Sequence, residues 1–204
     1  VSRTGIVPIS HSQGTAGPMT RTVTDAAALL TIISGADPFD PATAGADAHR
    51  TDYAKGLDRN SLKGARIGVL RFLTKYSAPT DAVFARALAT MKDQGATLVG
   101  IDTFESGDID RMEITVLLTE LKVDLNAYLA TMPAIVKTRT LADVIAFNNA
   151  EPRELVWFGQ ELFEQTEATT GLDDPAYIEA RNTSRRLAGP EGIDRLLRAH
   201  NLVA

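Results

Sequence analysis

The chain has 204 residues, enough for one sizeable hydrophobic core. Hydrophobic residues make up 44% and charged residues 23%, and the formal net charge of -5 argues against nucleic acid as the main partner, because phosphate binding needs a basic face. The chain has no cysteine, which excludes disulfides and thiolate chemistry, and no apolar run reaches the ~18 residues that a membrane helix needs.

Residues 1–9 read as an extended segment around Gly5 and Pro8. Thr22 and Asp25 make a start resembling a capping box. Ala26, Leu29, Leu30 and Ile33 then fall at i, i+3, i+4 and i+7, which predicts a helix closed by Gly35. Residues 37–63 form a polar connector with Pro38, Pro41, Gly45 and Gly56, longer than most ordered loops, with Tyr53 and Leu57 as its expected anchors. Residues 65–70 read as a strand. Thr80 is the expected cap of a helix with Phe84, Ala87, Leu88 and Met91 on one stripe, and Gly95 ends it. Residues 97–101 read as a second strand, so the unit is βαβ with parallel strands and a right-handed crossover.

Past Gly107 the pattern turns helical. Ile114, Leu117, Leu118, Leu121, Leu125, Tyr128, Leu129 and Met132 keep a 3.6-residue period until Pro133 stops it. Thr140 caps a short helix carrying Leu141, Val144 and Ile145. Pro152 suits the first turn of a helix with Leu155, Phe158, Leu162 and Phe163 on one side. Asp174 and Pro175 open another helix. Gly189 and Pro190 stop that one and open the last, with Ile193, Leu196 and Leu197. Residues 201–204 read as the beginning of a buried strand. Strand-like segments at both ends need neighbours for their backbone groups, so residues 1–204 are expected to be a single segment of a larger domain, truncated at both ends. The fold class is α/β, helix-rich in its second half.

The sequence is poor in catalytic constellations. His11, His49 and His200 stand in no metal-ligand spacing, and GxSxG, SxxK, P-loop and GxGxxG patterns are absent, so neither a metal nor a cofactor is expected. Asp37, Asp40 and Asp47 fit a calcium loop badly and read as a solvated loop. Glu161, Glu164 and Glu167 read as a polar helix face, and Arg181, Arg185 and Arg186 as a solvated or salt-bridged one. Trp157 and Phe158, with Gln160 and Asn148 nearby, are substrate-cleft candidates; the other reading of the two aromatics is core packing. Ser10 and Ser12 flank His11, but adjacent residues of an extended segment point to opposite faces, so His11 is badly placed to activate either hydroxyl. Both serines are expected to bond local backbone.

Residues 1–13, then Thr15-Ala16-Gly17-Pro18-Met19, and the continuation through Thr22, Val23, Asp25, Ala26 and Ala27, resemble the downstream half of the amidase signature region. The loop Asp37-Pro38-Phe39-Asp40-Pro41 follows that pattern. Residues 140–148, 158–162, 174–178 and 185–194 resemble bacterial peptide amidases. The resemblance implies part of an amidase signature fold, a mixed β-sheet covered by helices, and hydrolysis of a primary amide with release of ammonia. It also implies a Ser–cis-Ser–Lys triad whose lysine lies far upstream and whose serines lie in a Gly/Ser-rich stretch ending shortly before the position of Val1. No residue here matches them, so no catalytic residue is assigned, and the chain alone is expected to be inactive. Gly14, Gly17 and Pro18 belong to the structural part of the motif. Gly14 stands where the family usually has an aspartate, which puts the packing of that turn in question.

The implied partners are a small amide or peptide amide in the full enzyme, and the remainder of the same enzyme, with no nucleic acid and no membrane. The protein is expected to be soluble, in either cytoplasm or periplasm. Two alternatives stand beside the hydrolase: an amidotransferase A-type subunit, which would work on charged transfer RNA, and a non-catalytic scaffold or binding module.

Overall fold

The computed structural model describes residues 1–105 and 107–204. They form two compact units, residues 1–53 with 110–184, and residues 54–109 with 185–204.

In the first unit, helix α1 (Val23–Ile33) starts where the sequence predicts, with the Thr22 hydroxyl accepting the Asp25 N–H at 3.1 Å. The connector that follows is better ordered than its composition suggests. It holds 3-10 turns at Pro41–Thr43, Ala46–His49 and Tyr53–Gly56. The Thr43 hydroxyl accepts the Asp37 N–H at 2.7 Å and donates to the Asp40 carbonyl at 2.8 Å, and the Asp47 carboxylate accepts the Ala36 N–H at 2.9 Å. The expected solvated acidic loop is therefore wrong: these carboxylates close turns and bond neighbouring segments. Tyr53 is anchored through its backbone N–H, which donates to the Thr31 hydroxyl at 3.0 Å.

Helix α3 (Ile109–Ala130) is the long helix that the apolar period announces. Its buried residues are Val116, Thr119, Glu120 and Leu125, whereas Ile114 at the start of the predicted stripe is exposed. Arg139 closes the end of this helix, its guanidinium donating to the carbonyls of Leu129 at 3.1 Å and Pro133 at 2.9 Å. Helix α4 (Leu141–Ala150) begins with a complete capping box between Thr140 and Asp143. Helix α5 spans Glu161–Glu167 and α6 spans Pro175–Ala188. Val116 of α3 packs with Tyr177 and Ala180 of α6, and Met112 and Leu172 cover them.

The helix expected from Pro152 does not form. Residues 152–155 are turn and 156–160 bend and irregular chain, and α5 begins only at Glu161. Proline at a first-turn position permits a helix without driving one. A helix this short needs an apolar face packed on something, and Val156, Trp157 and Phe158 are exposed. The core-packing reading of the two aromatics is overturned by the same exposure, 83% for Trp157 and 81% for Phe158.

In the second unit, β1 (Arg66–Leu70) and β2 (Thr97–Ile101) pair in parallel, with Arg66 opposite Thr97 and Leu70 opposite Ile101. Between them runs α2 (Ala78–Asp93), ended by Gly95 at φ +94°. Ser77, not Thr80, holds the N-cap position, because Pro79 belongs to the first turn and Thr80 already lies inside the helix. Of the predicted stripe only Leu88 is buried. The core of this unit is Val69, Leu88, Ala96 and Ile101. Leu57, expected as an anchor of the connector, is exposed at 44%. After α7 (Asp194–His200), Asn201 turns the chain through left-handed geometry at φ 50°. The tail then runs beside β1: the Val203 N–H donates to the Arg66 carbonyl at 2.9 Å, and the Gly68 N–H donates to the Ala204 carbonyl at 2.8 Å. The expected buried strand is not formed: residues 202–204 bond to β1 as irregular chain, and Val203 is exposed at 71%. Gly68 suits that approach, since a Cβ there would sit 2.6 Å from Leu202 Cδ1. Among the described residues no helix is long and apolar enough to cross a membrane.

The Thr140 capping box generates a direct test. Thr140→Ala removes the oxygen that accepts the Asp143 N–H at 3.1 Å. The expected loss is about 1 kcal/mol in urea unfolding of the protein, read as a lower midpoint with an unchanged slope.

Candidate functional site

Glu120 and Asp124 stand four residues apart on α3 and so project from one face. Both meet the turn at residues 10–14. Glu120 has no exposed surface. Its Oε2 accepts the Ser10 hydroxyl, the Ser12 hydroxyl at 2.9 Å and the Ser12 N–H at 3.1 Å, while its Oε1 accepts the Tyr177 hydroxyl at 2.7 Å. Asp124 takes the other side of the same turn. It accepts the His11 N–H at 2.7 Å and sits 3.0 Å from His11 Nδ1. His11 Nε2 faces Glu120 Oε1 at 3.5 Å.

The expectation that Ser10 and Ser12 bond only local backbone is corrected. The Ser10 oxygen does accept the Gln13 N–H at 3.1 Å, but both hydroxyls donate to a carboxylate more than a hundred residues away. The opposite-faces argument does not hold either: residues 11–13 form a turn, and the imidazole, lying against Asp124, also comes within 3.5 Å of the Glu120 carboxylate that takes both flanking hydroxyls. The turn closes through the Gly14 N–H donating to the Ser10 carbonyl at 2.7 Å. A Cβ on residue 14 would fall 2.6 Å from that same oxygen. Gly14 therefore fits this turn as it stands, and the question raised over its packing is answered for this backbone. Gly17 has open space around its Cα, and Pro18 follows it in irregular chain.

A second cluster fixes the segment before the turn. The Arg3 guanidinium donates to Asp40 Oδ2 at 3.0 Å and Oδ1 at 2.7 Å, and the Arg3 N–H donates to Oδ2 at 2.9 Å. Another Arg3 nitrogen donates to the His11 carbonyl. Ser2 and Thr4 both donate hydroxyls to Asp37, the latter at 2.8 Å. Residues 2–12 are thus held from two sides, by the 37–40 loop and by α3. These elements line a cavity of about 640 Å³ whose walls include Ile6, Val7, Ile9, Phe39, Pro41 and Ala127, with His11 and Asp124 among its polar groups. That volume lies within the ~300–1,000 Å³ range of small-molecule pockets.

The electrostatics follow from these contacts. Burial pushes the Glu120 carboxyl up, but the hydrogen bonds from Ser10, Tyr177 and Ser12 outweigh it and hold it below its ordinary range. Tyr177 is pushed up to about 12, by burial first and then by its bond to Glu120. Arg3 beside Asp40 holds that carboxyl well below the usual range. Asp37 is lowered by Ser2, the Phe39 N–H and Thr4. His11, Glu120 and Asp124 also bring potential ligand atoms within 4.8 Å of one another. A cation there would have to displace hydroxyl and amide donors from Glu120, so the arrangement reads as a hydrogen-bonded lock.

The four cleft candidates lie elsewhere in this unit. Asn148 Nδ2 donates to Gln160 Oε1 at 3.2 Å, and Gln160 Nε2 donates to Asn149 Oδ1 at 2.7 Å. The structure therefore joins two of them in an amide ladder, beside which Trp157 and Phe158 stand exposed. None of the four lines the cavity. Glu120 and Asp124 do not stand out in the sequence as candidates. The available signal is a lone acid inside the apolar run Leu117-Leu118-Thr119-Glu120-Leu121.

Comparison with known proteins places this architecture. The family model described as Amidase matches residues 1–190, and the chain belongs to the amidase family. The solved peptide amidase of Stenotrophomonas maltophilia is 48% identical and superposes with a TM-score of 0.87, over 99% of this chain and 42% of that one. A probable amidase of Arabidopsis thaliana is 36% identical, over 100% of this chain and 40% of its own length. A glutamyl-tRNA(Gln) amidotransferase subunit of Methylocella silvestris is 40% identical over 49% of this chain and 20% of its own length. The chain thus spans about two fifths of the amidases it matches along its whole length, and its α/β, helix-rich architecture is part of the amidase signature fold.

The shifted carboxyls and the tyrosine predict a stability profile with two shoulders. Glu120, Asp40 and Asp37 have depressed pKa values in the folded state, so their contribution is present above the ordinary carboxylate range and is lost as pH falls below about 4. Tyr177 is raised when folded, so its contribution is present below about pH 10 and is lost as pH climbs towards 12. Melting temperature measured across pH should fall at both ends, and Tyr177→Phe should flatten the alkaline limb and, by removing one donor from Glu120, weaken the acid limb as well.

Proposed function

We propose that this chain is a segment of an amide hydrolase that cleaves a primary amide, with the C-terminal amide of a peptide as the preferred substrate class, and releases ammonia. The observation that carries this reading is the match to a peptide amidase along 99% of the chain at 48% identity. The segment contributes binding surface and scaffold. In the resemblance drawn from the sequence, the triad and the oxyanion-hole amides belong to a stretch preceding Val1. The hydroxyls of Ser10 and Ser12 support that division of labour, because both are hydrogen-bonded to a buried carboxylate and the Ser10 side chain is itself buried. An acyl-transfer nucleophile needs an open approach and donors aimed at the developing oxyanion. In the same reading, the surface formed by Trp157, Phe158, Gln160 and Asn148 is a second candidate wall of the substrate cleft, with two exposed aromatics beside the fixed amide ladder.

An amidotransferase component is the second reading, and the similarity to the glutamyl-tRNA(Gln) amidotransferase favours it over about half of the chain. The whole-length similarity to amidases and the net charge of -5 weigh towards the hydrolase.

Ammonia release from a peptide amide decides between them. The full-length protein that contains this segment should hydrolyse the peptide amide without other protein components, and residues 1–204 alone should give no turnover above buffer. Turnover by the isolated segment would overturn the assignment of the catalytic groups to the preceding stretch. Activity seen only with charged transfer RNA and the other amidotransferase components would favour the amidotransferase.

A further inference from the structure

Glu120 is a costly residue to keep. A fully buried carboxylate loses its hydration, and buried ion and dipole networks often add little net stability over well-packed apolar side chains. What such a network does supply is one defined arrangement of the groups it bonds. At Glu120 those groups are three donors of a single turn, Ser10 Oγ, Ser12 Oγ and Ser12 N, on one oxygen, and Tyr177 from α6 on the other. Asp124, one helical turn further along α3, bonds the His11 N–H and faces the His11 ring. The helix thus grips the turn at three consecutive residues. The other side of that turn is cavity wall, where Ser10, His11, Gly14 and Thr15 all line the space of about 640 Å³. Its Arg3 is matched by Asp40, Asp124 lies 3.0 Å from the His11 ring, and much of the remaining lining is apolar.

We propose that Glu120, with Asp124 beside it, is a positioning residue of the amidase: it holds the turn at residues 10–14 as a rigid wall of the cavity, and the cavity receives an uncharged, apolar side chain of the peptide-amide substrate. This rests on the reading of the chain as part of a peptide-amide hydrolase. Neither carboxylate touches the reacting atoms. Glu120 acts through the turn, as supporting groups fix the residues that meet a ligand, and Asp124 both bonds the turn and lines the cavity. The apolar lining and the Asp124 carboxylate favour a neutral side chain over a carboxylate-bearing one.

The test uses the full-length protein and the variants Glu120→Gln and Ser12→Ala. Glutamine keeps the shape of residue 120 but loses the charge that draws the Ser12 amide and the three hydroxyls. KM for a peptide amide with a large apolar side chain should rise about tenfold in Glu120→Gln and severalfold in Ser12→Ala, while KM for a glycine amide should change less than twofold. The double variant should show less than the product of the single effects, because both changes loosen one turn. Amide hydrogen exchange should speed up at residues 10–14, even if the parent protein proves to have another activity. A lower melting temperature with unchanged KM and unchanged exchange at the turn would overturn the proposal and leave Glu120 a purely structural residue. An equal rise in KM for both substrates would overturn the assignment of the cavity. If Glu120→Gln does not fold, Ser12→Ala alone carries the same readouts, since Ser12 is exposed. Loss of all amide hydrolysis in the parent would count against the hydrolase reading, and the exchange measurement would still judge the turn.

Discussion

A single buried carboxylate organises the first unit. Glu120 is removed from water in the middle of a long helix, and that placement is tolerable only because four donors surround it. Those donors come from opposite directions in the chain, residues 10–12 and residue 177, so satisfying one charge joins an N-terminal segment, a central helix and a late helix. Apolar contacts such as Val116 with Tyr177 add area to the same junction without specifying its register. The hydrogen bonds specify it, because each requires one donor at one distance and angle.

The same logic recurs nearer the start of the chain. Arg3 forms a two-nitrogen bridge with Asp40 and also reaches the His11 carbonyl, while Asp37 gathers Ser2 and Thr4. Residues 1–14 contain little regular structure and would be costly to order by themselves. They are ordered here by side chains that arrive from the 37–47 region and from α3. The connector after α1 is therefore a working part of the site and not a spacer.

Much of this is legible in the residues. Thr22 and Thr140 announce their helices because N-capping is a local bond between a hydroxyl and an N–H three residues on. The second strand, residues 97–101, and its parallel pairing with the first follow from two short apolar runs bracketing a helix. The departures are of one kind. Pro152 suggests a helix that packing does not support, Thr80 has the chemistry of a cap but Ser77 occupies the position, and Ser10 and Ser12 find partners far from their own backbone. In each case a local signal competes with something distant or with a neighbour of equal propensity.

Sequence alone determined the class of the chain, its succession of elements and its likeness to amidases, because those depend on short-range patterning and on motif spacing. Tertiary structure decided which polar residues matter. Glu120, Asp124 and Asp40 are ordinary members of a set of 26 acids, and only the fold brings Ser10, Ser12, His11 and Arg3 within hydrogen-bonding reach of them. The reason is physical: a carboxylate's role is set by its desolvation and its donors, and both are properties of three-dimensional surroundings, not of neighbours along the chain.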